Sequence, residues 1–419
     1  MSKHPLSASQ LTGTGQLRVN VVSAANNYPV SDAVVSVSYG MDPENILEEV
    51  STDLSGQTDT IDLSAPPIEY SLEPSEQKPY ADYTVTVRAP GFEPLVISGS
   101  EVLPGSLSIQ PARLIPLEPD IQEEDINIPD HTLYGDYPQK IPEDEIKPVN
   151  QSGEIVLSRV VIPETIIVHD GVPSDSSAPN YYVPYIDYIK NVASSEIYAT
   201  WAPNTIIANI LAIQSIALNR VYTEWYRNRG YEFTITSSTA YDQKWIYGRN
   251  IFESISLAVD EIFSSYLSRP DVKQPIFTQY CDGRRVTCPD WMSQWGSQSL
   301  GEQGYDPIDI IRYYYGDDMY INSAEQISGI PSSWPGYELT IGSSGPKVRQ
   351  MQEQLNAIAA VYTAIPSLVP DGIFGENTRR AVEEFQSVFG LPVTGVVDYR
   401  TWYKISQIFV AVTRIAEQI

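Results

Sequence analysis

Residues 188–197, Tyr-Ile-Lys-Asn-Val-Ala-Ser-Ser-Glu-Ile, set the character of the middle of the chain. Ile189, Val192, Ala193 and Glu196 fall at i, i+3, i+4 and i+7, the spacing of a single helix face. Glu196 is thereby placed on the apolar stripe rather than the wet side. A carboxylate so placed loses hydration and its pKa rises, so it can hold a proton near neutral pH and act as a general acid. The same pattern also suits a Glu at the edge of the stripe that reaches solvent or caps a helix.

Outward from this segment, Asn204 is a plausible N-cap for a helix carrying Ile206, Ile207, Ile210, Leu211, Ile213, Ile216, Ala217, Val221, Tyr222 and Trp225. Apolar residues cover most of its circumference, which predicts a central, buried helix. A second helix is expected after Asn250, through Ile255, Val259, Ile262 and Tyr266, and Phe233–Thr236 has the composition of a strand. Residues 151–328 therefore form a mixed α/β domain.

The front of the chain alternates. Gly15–Val22, Ala33–Tyr39 and Tyr83–Arg88 each place apolar residues at every second position, with turn signals between them. Residues 1–118 are expected to be an all-β sandwich, and Pro29-Val-Ser-Asp32, Thr52-Asp-Leu-Ser-Gly56 and Pro90-Gly91 resemble the turns of carboxypeptidase-regulatory-like or transthyretin-like sandwiches. Residues 119–150, with Glu118–Asp125 and Pro142-Glu-Asp-Glu145, read as an acidic, Pro-rich linker that cannot order a core of its own and invites proteolysis.

The chain carries a formal charge of −27 over 419 residues, and residues 1–150 hold 24 acids against 7 bases. Phosphate repels such a surface, so no nucleic-acid partner is expected. The N-terminal Met-Ser-Lys-His-Pro-Leu-Ser lacks the apolar core of a signal peptide, and no stretch is expected to reach the roughly 18 apolar residues of a membrane span. Two cysteines, Cys281 and Cys288, flank six residues. They can close a local disulfide or contribute to a structural zinc site, although two cysteines alone do not complete a tetrahedron. No cofactor is otherwise required.

Residues 335–419 form a small helical module. Val348, Met351, Gln352 and Leu355, then Asp371-Gly-Ile-Phe-Gly375, Thr378, Ala381-Val382, Phe385-Gln386, Gly390-Leu391, Thr394-Gly395 and Thr401-Trp402 closely resemble the PG_binding_1 family of peptidoglycan-binding domains. The resemblance implies a three-helix core and a tether that concentrates glycan at a neighbouring domain.

In the middle domain, Val192-Ala-Ser-Ser-Glu196, Trp201-Ala-Pro203, Tyr241-Asp-Gln-Lys-Trp-Ile-Tyr-Gly248, Trp291-Met-Ser-Gln-Trp-Gly296 and Ile310–Gly316 look like the SpoIID/LytB family, in order. That family includes lytic transglycosylases, and its catalytic acid maps onto Glu196. Here Cys288-Pro-Asp290 replaces a histidine-bearing stretch, and Arg249 stands where the family has a second glycine. Asp242, Gln243, Tyr241, Tyr247, Ser293 and Gln294 are candidates for holding sugar or orienting Glu196, and each could equally serve as a structural hydrogen-bond partner. Trp201 and Trp291 suit sugar stacking or core packing. The full architecture resembles the spore cortex-lytic enzymes of anaerobic spore formers. It implies a zymogen of the spore cortex or coat region, activated by a subtilisin-like protease and acting on peptidoglycan glycan strands, with no membrane partner. A lytic transglycosylase can work with one carboxylate because the substrate's muramyl C6 hydroxyl is the nucleophile. The rival activity, a zinc amidase, wants clustered histidines, and the chain has only His4, His131 and His169. A non-catalytic wall adaptor is the third expectation.

Overall fold

The computed structural model describes residues 10–40, 42–117, 124–148, 157, 159–324, 326–328 and 335–413. His4 and the first nine residues lie outside this set, as do residue 118 and, of the expected linker, 119–123 and 149–150.

The front half builds two sheets. Strands β1 (Gly13–Ser23), β2 (Val34–Tyr39), β3 (Asp42–Ser51), β4 (Ile61–Ala65), β5 (Ala81–Arg88), β6 (Leu95–Val102), β7 (Leu107–Leu114) and β8 (Glu124–Asn127) are joined by a short helix, α1 (Glu69–Leu72). One sheet runs β3-β2-β5-β6-β8, the other runs β7-β1-β4. Leu17, Val19 and Val21 of β1 face Val35 and Val37 of β2 and Val85 and Val87 of β5 across a dry core. The alternation in the sequence is the cause: every second residue of β1 is buried. Strand β3 carries no such signal. Its Asp-Pro-Glu-Asn-Ile-Leu-Glu-Glu-Val-Ser is almost entirely exposed and pairs with β2 through a register shift at the sheet edge. Acidic side chains there discourage pairing with another chain.

Two features tie this sandwich to the rest. Ile251–Phe252 from the central domain pairs antiparallel with β7, so the second sheet has a strand of foreign origin. Arg249 reaches Glu101, at the end of β6, with two bonds of 2.7 and 2.6 Å, both residues fully buried. Burial outweighs the guanidinium and pushes Glu101 up to about 7.

The linker expectation needs correction for residues 124–148. β8 joins the first sheet in parallel beside β6. Residues 128–148 then run as a strap across the central domain, with His131, Lys140 and Lys147 buried. The acidic composition concealed this because the strap's charges are paired. Glu143 accepts from Arg220 at 3.0 and 2.6 Å and from Lys147 at 2.8 Å. Burial alone would raise Glu143, but these partners hold it below the usual carboxylate range.

The central domain is organised on α3 (Pro203–Tyr222), packed against α2 (Tyr185–Glu196), α4 (Glu253–Ile262), α5 (Gln294–Glu302) and α6 (Pro307–Tyr315). By length and hydropathy α3 is apolar enough to cross a membrane, contrary to the sequence expectation, and 89% of its apolar window is buried within the protein. Its buried side-chain amide nitrogens are bonded: Asn209 donates to Thr205 O and Ser297 Oγ, and Gln214 to Ile262 O and Ser265 O, while Asn209 Oδ1 and Gln214 Oε1 are buried without a hydrogen-bond partner. Two cap expectations shift. Pro203 opens α3, while Asn204 donates to Tyr305 O. Asn250 does not cap α4; its side chain bonds both backbone groups of Glu101, and Ile251–Phe252 becomes strand.

The C-terminal module comprises α7 (Pro346–Ala359), α8 (Glu376–Val388) and α9 (Tyr399–Thr413) around Val348, Met351, Leu355, Phe374, Val382, Phe385 and Trp402. It docks through Tyr399 and Tyr403 against Phe263, and Tyr399 Oη donates to Ser264 Oγ at 2.6 Å.

Candidate functional site

Glu196 ends α2 and is fully buried. Ile189, Val192 and Ala193 on the same stripe are buried with it, as the spacing dictates. Its Oε1 accepts the Lys244 backbone N–H at 2.7 Å, and its Oε2 accepts the Tyr280 hydroxyl. Its own carbonyl accepts from Gln294 Nε2 at 3.1 Å. Burial drives the Glu196 pKa above its ordinary value, against the opposing charge of Lys140 and the two hydrogen bonds. The edge-of-stripe alternative, with the carboxylate reaching solvent, is not the arrangement found.

The strap closes the site. Thr132 donates to Ser195 O through its N–H at 3.2 Å and its hydroxyl at 2.7 Å. His131 Nε2 lies 3.3 Å from Ile197 O. Lys140 Nζ sits 4.8 Å from the Tyr280 ring centroid and donates to Asp242 O at 2.8 Å. Burial lowers Lys140, and the charges of Glu196 and Asp242 oppose that shift.

The other expected site residues divide. Gln243 touches the site at one remove: Nε2 donates to Tyr280 Oη and Ile213 O, both at 3.0 Å, and Oε1 accepts Tyr188 Oη at 3.1 Å. Gln294 holds the Glu196 backbone. Asp242 is the hub of a separate ionic network. Its Oδ1 accepts Arg220 Nε at 2.6 Å, and its Oδ2 accepts Tyr226 Oη and the N–H and hydroxyl of Thr236. Tyr241 contributes its carbonyl to Arg220 at 3.2 Å. Ser293 caps α5 by accepting the Gly296 N–H at 2.9 Å. Trp201 is buried, donates to Ser71 O at 2.8 Å and packs 5.1 Å from Trp295, so its face is not offered to solvent. Tyr247 is exposed and stacks on Tyr181, centroids 5.0 Å apart. Trp291 lines an open cleft with Arg284 and Tyr313.

Cys281 and Cys288 are joined in a disulfide. Their sulfurs are spent on each other, so this pair does not fit a structural zinc. His131 and His169 are engaged separately, the latter with Asn180 Oδ1 at 2.8 Å. Among the described residues no three His, Cys, Asp or Glu side chains are grouped to hold a metal.

Sequence reasoning missed Tyr280, Lys140 and the Lys244 amide. Tyr280 stands next to Cys281, and only the pairing of Tyr280 with Met292 and Cys281 with Ser293 brings it to Glu196. Lys140 lay in a segment whose composition reads as solvent-facing.

In the C-terminal module two glutamines repeat one device. Gln352 Oε1 accepts the Gly372 N–H at 2.8 Å, and its Nε2 donates to Asp371, Ile373 O and Thr378. Gln386 Oε1 accepts the Thr394 and Gly395 N–H groups, and its Nε2 donates to Thr394, Val396 O and Thr401. Each glutamine pins the turn that follows it. Gly372 takes φ +77° there, a conformation that favours glycine.

Residues 344–405 match the PG_binding_1 family of peptidoglycan binding domains, and peptidoglycan binding is accordingly the supported property of this region. A curated relative, the zinc D-Ala-D-Ala carboxypeptidase of Streptomyces albus G, is 40% identical over 76 residues, covering 18% of this chain. The match spans only 28% of that relative's length. Among solved structures, the SleB N-terminal domain is 28% identical, covering 18% of this chain and 99% of its own, with a TM-score of 0.17. The mercury-inhibited catechol 1,2-dioxygenase of Acinetobacter sp. ADP1 is 14% identical over 29% of this chain and 60% of its own, with a TM-score of 0.19. At such TM-scores neither likeness bears on the chain's overall architecture or chemistry.

Proposed function

We propose that the chain is a peptidoglycan lytic transglycosylase of the spore cortex, resembling the cortex-lytic enzyme SleC and held as a zymogen in the form described. The observation that carries this is Glu196: a wholly buried carboxyl with a raised pKa, hydrogen-bonded by Tyr280 and the Lys244 amide. A protonated Glu196 donates its proton to the glycosidic oxygen as the bond breaks. The resulting carboxylate then takes the proton of the muramyl C6 hydroxyl as that oxygen closes on C1, leaving a 1,6-anhydromuramyl end. A single carboxyl suffices because no water is activated, unlike the two-carboxylate hydrolases. The peptidoglycan-binding domain holds the strand near the acid. A closed acid needs an opening step, and cleavage by a subtilisin-like protease near the end of the strap would supply it in the spore.

The test is cleavage of cortex-type glycan by protease-treated protein. Glu196→Gln is expected to lower the rate by about 10²–10⁴-fold, the range of general-acid contributions, while wall binding persists. Mass spectrometry of the products should find anhydromuramyl ends; freed stem peptides would instead indicate an amidase. A second reading, a non-catalytic wall adaptor, is favoured by the full satisfaction of Glu196 within the fold. Undiminished glycan cleavage by the Gln variant would remove Glu196 from the chemistry, and no cleavage by the parent after strap removal would favour the adaptor.

A further inference from the structure

We propose that the loop closed by Cys281 and Cys288 is a redox-sensitive clasp that holds the strap over Glu196, and that reduction by a dithiol releases it. The regulatory consequence rests on the role of Glu196 given above; the clasp itself rests on the geometry of the loop.

Within the loop, the Asp282 carboxylate accepts the N–H groups of Arg284, Arg285 and Val286 at 3.0–3.1 Å, which fixes a tight turn. Gly283 at φ +75° lies against Ser293, where an added Cβ would meet Ser293 Oγ at 1.8 Å. Thus shaped, the loop projects two guanidiniums onto other parts of the chain. Arg285 donates to four consecutive strap carbonyls, Thr132, Leu133, Tyr134 and Gly135, at 3.1, 2.8, 2.9 and 2.7 Å. Arg284 donates to Ser75 O at 2.7 Å and to Glu76 at 2.5 Å on the front sandwich. Val286 and Cys281 pack with Tyr137 of the strap. Of the strap residues so gripped, Thr132 bonds Ser195 O, and its neighbour His131 bonds Ile197 O, on either side of Glu196. A loop tied at both ends keeps Arg285 aimed; an open loop gains freedom at the cost of that aim.

The bond can be reached from outside. Cys281 is buried, whereas Cys288 is partly exposed and borders the open cleft of about 400 Å³ beside Trp291 and Tyr313. A thiolate of the dithiol attacks the Cys288 sulfur, and the bond to Cys281 breaks. Cys281 leaves as a thiolate and takes a proton. The second thiol of the reagent then displaces Cys288 and closes the reagent into a cyclic disulfide, so two electrons pass to the protein.

Hydrogen exchange followed by mass spectrometry on the full chain, oxidised and treated with dithiothreitol, tests this. Thiol alkylation confirms reduction in the same sample. Exchange over residues 131–137 is expected to speed by about tenfold or more on reduction, while α3 is unchanged. Arg285→Ala, which keeps the disulfide, should show the fast strap without reductant and respond little to it; Cys281→Ser with Cys288→Ser should match reduced parent. An unchanged strap in fully reduced protein overturns the proposal, as does loosening of α3 to the same extent, which would make the disulfide a plain staple of the domain. Glycan cleavage is measured alongside. Faster strap exchange on reduction, with no cleavage even by protease-treated protein, supports the clasp and counts against the enzyme assignment, so the two fail separately.

Discussion

Gln352 and Gln386 in the C-terminal module and Glu196 in the central domain are all buried polar groups on helices, yet they are assembled over different spans of chain. Gln352 finds its side-chain partners 19 and 26 residues away, and Gln386 at 8 and 15. Glu196 draws on groups 48, 84 and 98 residues distant. Longer closures cost more entropy and require several elements to be in place before any one bond is made. The module thus fixes its own turns locally. The acid site draws its hydrogen bonds from Lys244, Tyr280 and Gln294, which meet Glu196 only when distant segments of the central domain are assembled.

The strongest way to break this contrast is Arg249→Ala. It leaves Glu101 buried without its partner and should cost about 3–5 kcal/mol in the front and central domains. Calorimetry should register the loss while wall binding by residues 344–405 survives; simultaneous loss of both would mean the regions are not independent. Gln352→Ala is the reciprocal change. The Gly372 amide and its neighbours lose their acceptor or donor, at about 1–3 kcal/mol, and wall binding should weaken without change in cleavage of soluble glycan. Tyr280→Phe removes one hydrogen bond to the Glu196 carboxylate, about 0.5–1.5 kcal/mol, and that bond favours the ionised form. The pH profile of cleavage should therefore move upward.

The smallest effect is on stability against pH. Because burial raises the Glu196 pKa in the folded chain, its contribution is full below the ordinary carboxylate range and is lost as pH rises through the raised value. Glu196→Gln does not titrate. Its melting temperature relative to the parent should rise from pH 4 to pH 8, by roughly 1–3 °C. A constant difference would show that Glu196 does not bear the burial penalty.

Much of this was legible in the residues. Alternation gave β1, β2 and β5, and helical spacing placed α2, α3 and the acid on its dry face, because side-chain periodicity is a local property of strand and helix. Strand β3 and the strap were not legible. Both are acidic, and what orders them is a neighbour: β2 for one, Arg220 and Arg285 for the other.

By itself the sequence determined many of the kinds of element, the peptidoglycan-binding module and the helix stripe on which the Glu196 carboxyl stands. Only the tertiary structure decided that this carboxyl meets Tyr280 and the Lys244 amide, that Arg249 bridges to Glu101, and that the supposed linker lies across the site. The reason is physical: periodicity is written residue by residue, whereas the partner of a buried charge is chosen by whatever folding brings within about 3 Å of it.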